Sequence, residues 1–287
     1  MRSPARALVL LPVLAAGCEP EPVDEGTCSV EDAPQLLVVR TLRFALADDA
    51  GVSEGFDLDG LNTAEKGDDG CGIGDYVDPD GVPGIDNAFS RLVPAMNSTE
   101  AKIEVIEGLV QSAIDSGELL ITLELGGVDS WDDDACVAGA VGQAVGTPML
   151  GTDGLILDGQ TFDRDEEVGT VALSSATIRD GVLEGTGLSV DLPVQILNAK
   201  LDFPLRDGRL RLEPGTDDVY AGLLAGKVSA AYVFSVALTE NVDASVAELL
   251  GVVLTANSDF DDEDGTYCGA ISVTLAFEAV GAWYYEE

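Results

Sequence analysis

Residues 197–212 read LNAKLDFPLRDGRLRL. Apolar side chains fall at Leu197, Ala199, Leu201, Phe203 and Leu205, with polar ones mostly between them. Leu210 and Leu212 resume the alternation. A period of two sets alternate side chains on one face of a strand, so the segment predicts a β ribbon with a buried and a wet face. Asp207-Gly208 interrupts it, and Asp-Gly favours the type I′ turn, whose central residues both need φ > 0. The same dipeptide stands at Asp158-Gly159 and Asp180-Gly181, again between apolar stretches. The middle of the chain therefore reads as a meander of antiparallel hairpins turning at these three places.

Outward from this meander, residues 35–46 (QLLVVRTLRFAL) and 118–125 (ELLITLEL) predict strands. Residues 269–280 predict a closing strand with Ile271, Val273, Leu275 and Phe277 on one side. Helical spacing appears over 99–115 (Ile103, Ile106, Val110, Ile114), with Ser98 or Thr99 as N-cap and Gly117 as stop. It appears again over 243–256 (Val246, Leu249, Leu250, Val253, Leu254), with Asp243 as N-cap. The expected fold is mainly β: an antiparallel, hairpin-rich sandwich or open barrel-like sheet with two or three helices and a long Asp/Gly-rich loop at 51–87. Strands at both ends of 35–287 are expected to pair, making that stretch one domain.

Fifty-three acids against fourteen bases give a net charge of −39. Such a surface repels nucleic-acid phosphates and attracts cations, so no nucleic-acid partner is expected. There is no histidine, which excludes Ser-His-Asp and Cys-His catalysis and imidazole zinc sites. The chain carries no P-loop or dinucleotide fingerprint. With so many acids, a pair of carboxylates in some cleft is expected by chance, so a carboxylate-based hydrolase remains only an alternative and the expectation is a non-enzymatic protein. A glycan-binding β-sandwich is the other alternative, weakened by an aromatic content of 6%. Trp283-Tyr284-Tyr285, at the end of the last strand, reads as a core or edge cap rather than a ligand platform.

The densest chemistry lies in the 51–87 loop. Asp57, Asp59, Asn62, Asp75, Asp78, Asp80, Asp86 and Asn87 stand among glycines there. Calcium takes six to eight oxygens, and glycine lets a chain turn tightly enough for several carboxylates to converge. The spacing is not that of an EF-hand. A second acidic run holds Asp259, Asp261 and Asp264, and a third holds Asp129 and Asp132 to Asp134. The first two runs are expected to converge on calcium at one end of the sheet. Four cysteines, Cys28, Cys71, Cys136 and Cys268, predict two disulfides in an oxidising compartment, with three connectivities open. Cys71 and Cys268 flank acidic runs, so disulfides are expected to staple those loops to the body.

Residues 1–17 read as a signal peptide, with Arg2 and Arg6 ahead of a short apolar segment from Ala7 to Ala16. Leu14-Ala15-Ala16-Gly17-Cys18 resembles the lipobox of bacterial lipoproteins, departing from it at Ala15, where Leu is usual. The resemblance covers the first 18 residues. It implies cleavage before Cys18, acylation of that cysteine and attachment to a lipid bilayer. Glu19 follows where that class places Asp for inner-membrane retention, which implies the outer membrane. Residues 18–34, acidic and proline-rich, form the expected tether between lipid and domain. The remainder resembles the acidic, Asp/Gly-rich surface lipoproteins in composition, a likeness that carries no activity with it; the expected role is structural or adhesive, with a protein or glycan partner.

Overall fold

The computed structural model describes residues 34–63, 70–98, 102–196, 199–239 and 244–285. The signal peptide, Cys18, Cys28, most of the tether, Asp68, Asp69, Thr99 and Asp243 lie outside the described residues.

The strands, in chain order, begin with β1 (Gln35–Phe44), β2 (Tyr76–Val77), β3 (Pro83–Ile85), β4 (Leu120–Gly126), β5 (Asp133–Asp134) and β6 (Ala138–Val145). They continue with β7 (Gln160–Arg164), β8 (Val171–Ala172), β9 (Ser175–Arg179), β10 (Val182–Ile196), β11 (Ala199–Pro214), β12 (Val219–Ser229) and β13 (Ala270–Tyr284). The α-helices are α1 (Val93–Asn97), α2 (Ile103–Ser116), α3 (Ala230–Thr239) and α4 (Ala244–Asn257). The fold is mainly β, as expected. Its core is closed: β1, β4, β6, β7 and β13 form a ring, and β12, β11, β10, β9 and β5 extend the sheet from β13. The β7–β13 pairing is parallel, Gln160 opposite Ala282, in an otherwise antiparallel sheet. β13 organises the whole, pairing along its length with β1 and β12 and at its end with β7.

Closure shows in burial. All seven residues of β4 are buried, so both of its faces are covered. Leu37, Val38 and Val39 of β1 are buried in sequence for the same reason. Close packing also sets local residue choice. Gly222 lies opposite Phe277, and any Cβ at Gly222 would overlap the Phe277 ring.

Of the three Asp-Gly turns, only Asp180-Gly181 joins two strands directly, with φ 50° and 84° between β9 and β10. Asp207-Gly208 lies inside β11 as an irregularity in register with β10 and β12. Asp207 takes φ 49°, and the ladder runs on through it, a β-bulge using the same backbone freedom as a turn. Asp158-Gly159 leads into β7, and the tight bend of that excursion falls earlier, where Leu150 bridges to Ile156.

Helix α2 covers most of the expected span and ends at Gly117 in the left-handed conformation, φ 81°. Its first amide, that of Ile103, donates to Asn97 Oδ1 at 3.1 Å, a cap from neither expected residue. The helix packs against both β1 and β10. Glu107 accepts from the Phe44 amide at 2.9 Å and Gln111 donates to the Arg40 carbonyl at 2.9 Å, fixing α2 on β1. Helix α4 matches the second expected helix. Helix α3 was not expected: its sequence AAYVFSVALT is rich in the β-branched and aromatic residues that suggest a strand.

Candidate cation site

The long excursion between β1 and α2 lies along β13. The Ala45 amide donates to the Thr274 carbonyl, and the Ala88 amide to Ser272 Oγ. The Phe44 and Phe89 rings stack at 4.5 Å. Both Ser272 and Thr274 are fully buried beneath this cover.

Within the excursion, the chain makes two antiparallel approaches. Phe56 bridges to Asp86, whose amide donates to the Phe56 carbonyl at 2.9 Å. That pairing turns three carboxylates toward one another: Asp57, Asp59 and Asp86 each offer an oxygen within 4.8 Å of the others. One oxygen of each is taken by backbone: Asp57 Oδ1 by the Gly60 amide at 2.6 Å, Asp59 Oδ1 by Leu61 at 2.8 Å, and Asp86 Oδ2 by Leu58 at 2.6 Å. Gly84 is required here. Its φ is 97°, and a Cβ would stand 2.8 Å from the Leu61 carbonyl oxygen.

Two more carboxylates surround this trio. Asp75 accepts from the Thr63 amide at 2.5 Å. Burial raises its pKa, with Asp59 and Asp57 adding to the rise. Asp259 accepts from the Ser272 amide at 2.8 Å and also from Ser272 Oγ. Asp86 and Asp259 are almost fully buried, 3% and 6% exposed. Burial pushes Asp86 up to about 8, with Asp59, Asp259 and Asp75 raising it further. Burial likewise lifts Asp259 to about 7, against the Ser272 hydrogen bonds. Among the described residues none of these five carboxylates forms a salt bridge, and Arg209 reaches only the Asp57 carbonyl, at 2.8 Å.

The structure thus brings together Asp57, Asp59, Asp75 and Asp86 from the first run and Asp259 from the second. The other expected ligands are elsewhere. Asp78 caps the tip between β2 and β3 through the Asp80 and Val82 amides, at 2.9 and 2.7 Å. With Asp80 it lines a separate groove of about 310 Å³ alongside Arg43 and Arg211. Asn62 is exposed. Asn87 is buried and structural, its amide group donating to the Ala45 carbonyl and, at 2.9 Å, to Ser53 Oγ. Asp261 and Asp264 are exposed turn acceptors, for the Cys268 and Thr266 amides. The third run is partly strand β5, paired with β9, and Asp134 in it accepts from the Asp129 and Cys136 amides.

Cys71 and Cys268 form a disulfide, a pairing the sequence left open, which ties the first acidic run to the second rather than either run to the body. Cys136 is disulfide-bonded as well. Asp261 stands close to the Cys71 and Cys268 sulfurs, but bonded sulfurs have no thiolate to offer a metal. Replacing Cys71 and Cys268 together by serine should cost about 2–5 kcal/mol, since the bridge closes a long loop. Urea unfolding measures this directly, and an unchanged midpoint would mean that the strand ladder alone holds the excursion down.

A polar network inside the ring escaped the sequence reading. Arg164 holds Glu124 with two bonds, at 2.5 and 2.9 Å. Its guanidinium lies 4.3 Å from the centre of the Tyr284 ring, and Tyr284 Oη meets Thr122 Oγ1 at 3.0 Å. Thr122 is fully buried and the Glu124 side chain is 8% exposed. Tyr284 is therefore the cap expected of the terminal aromatic run, whereas Trp283 and Tyr285 are exposed.

No protein-family model, curated protein or solved structure matches this chain.

Proposed function

We propose that this protein is a non-enzymatic, lipid-anchored module of the bacterial cell envelope, held at the outer membrane through Cys18, whose acidic excursion is organised by calcium. Its role is structural or adhesive. The observation that supports the calcium reading is the meeting of Asp57, Asp59 and Asp86 within 4.8 Å, with Asp86 buried. Carboxylates so placed repel one another unless a cation or a proton intervenes. The second oxygen of each is left without a donor among the described residues, which suits a hard cation bound by oxygen. The hydrolase alternative has less support, because neither described groove is lined by these acids. Among the described residues no helix is long and apolar enough to cross a membrane, and attachment is assigned to lipid on Cys18.

Thermal unfolding in millimolar calcium and then in chelator tests the cation. At 100 times its dissociation constant a ligand adds about 2.7 kcal/mol, which should raise the midpoint by roughly 5–10 °C. Asp59→Asn should abolish the rise, while Asp78→Asn, in the separate turn, should preserve it. Equal midpoints with and without calcium would remove the cation from the proposal. Mass spectrometry of the mature N-terminus tests the anchor, and an unacylated end other than Cys18 would refute it.

A further inference from the structure

The excursion between β6 and β7 meets the end of β13. The Gly159 amide donates to the Gly281 carbonyl at 2.7 Å. Gln160, opposite Ala282, holds the Met149 amide at 2.6 Å and donates to the Leu157 carbonyl at 2.8 Å. Beside this junction large apolar side chains face solvent: Met149 is 64% exposed, Leu157 44%, Trp283 64% and Tyr285 62%. Trp283 and Tyr285 alternate with Tyr284, which bonds Thr122, so both project from the opposite face of the strand.

We propose that the exposed aromatic face of Trp283 and Tyr285 rests on the headgroup boundary of the bilayer that carries the anchor. The inference rests on acylation of Cys18. Three observations favour lipid over another protein. Trp and Tyr have an apolar body and a polar edge, which suits the membrane–water boundary. The tether enters the fold beside the patch: β1 starts at Gln35, and Leu36 pairs with Ala282, next to Trp283. A tethered surface meets its target at an effective concentration in the millimolar range for a short linker, so weak interfacial affinity suffices. Asp153, Asp158 and Asp163 around the junction are exposed, so the surface should be zwitterionic rather than anionic lipid.

The test uses the full acylated chain in phosphatidylcholine–phosphatidylethanolamine vesicles. Trp131→Phe leaves Trp283 as the single tryptophan. The expected result is a blue shift of Trp283 emission, quenching by bromine-labelled acyl chains, and protection from iodide that vesicles alone confer. Adding anionic lipid should weaken all three. A protein that floats with vesicles while Trp283 stays open to iodide and untouched by brominated chains would overturn the docking face and leave the anchor intact. Protection from iodide without vesicles would assign the patch to a second copy instead and overturn the lipid assignment. Failure to float would remove the anchor and this inference together.

Discussion

Asp86→Asn should make the protein more stable at pH 8 in chelator and deprive it of its response to calcium. The sign follows from the ionisation of Asp86. In the unfolded chain an aspartate ionises near pH 3.9. In the fold, burial and the neighbouring acids hold Asp86 protonated up to about 8. Between those values the unfolded chain binds fewer protons, so stability is full below about pH 4 and is lost as pH rises towards 8. Each pKa unit is worth about 1.4 kcal/mol, so over pH 5–8 the cation-free midpoint should fall by roughly 7–15 °C. Asparagine keeps the acceptor for the Leu58 amide and removes the proton. The variant should therefore match wild type near pH 4.5 and melt several degrees higher at pH 8. Calcium should rescue wild type most at pH 8, where protons no longer compete for Asp86, and rescue the variant little. Asp259 is coupled to Asp86, so removing the Asp86 charge also eases Asp259, and the difference at pH 8 reports both groups. Parallel melting curves for the two proteins across this pH range would show that Asp86 is not the group that senses charge here.

Arg164→Ala is the second large effect. It strands the Glu124 carboxylate inside the ring and takes the cation from the Tyr284 face. Breaking a buried pair by removing one partner costs about 3–5 kcal/mol. The Arg164 side chain is 38% exposed, and water screens part of the field, so the lower figure applies. Denaturant unfolding should show a lower midpoint with an unchanged slope. Glu124→Gln combined with Arg164→Met should recover most of the loss, because no buried charge is then left alone. A single variant that unfolds like wild type would mean that water already reaches Glu124.

What the sequence disclosed follows the range of each interaction. Strands β1, β4 and β13 and helices α2 and α4 announce themselves, because apolar and β-branched runs, period 2 in β13 and period 3.6 in the helices are written within ten residues. The convergence of Asp57, Asp59, Asp75 and Asp86 was also legible, since glycines near them mark a chain that folds back on itself. Asp78 and Asp80 carry the same local signature, and one that merely caps a tip reads like one that turns inward. Closure of the ring was not legible, because the parallel pairing of β7 with β13 joins segments with no shared local pattern. Asp207-Gly208 misled for a related reason: left-handed backbone suits a bulge as well as a turn, and the neighbours β10 and β12 decide. Glu124 and Arg164 stand on different strands, and nothing near either in the chain signals the other.

The central place of β13 also sets the order of events in folding. Leu36 must find Ala282, and until it does the outer edges of β1 and β12 have no hydrogen-bond partner. Contacts of such sequence separation make the search slow, in the range of milliseconds to seconds for comparable β topologies. A chain emerging N-terminus first therefore carries a nearly complete set of strands that cannot yet close. Those open edges are templates for pairing with other molecules during that interval, which makes the last strand, rather than the first, the step that a holding chaperone would have to outlast.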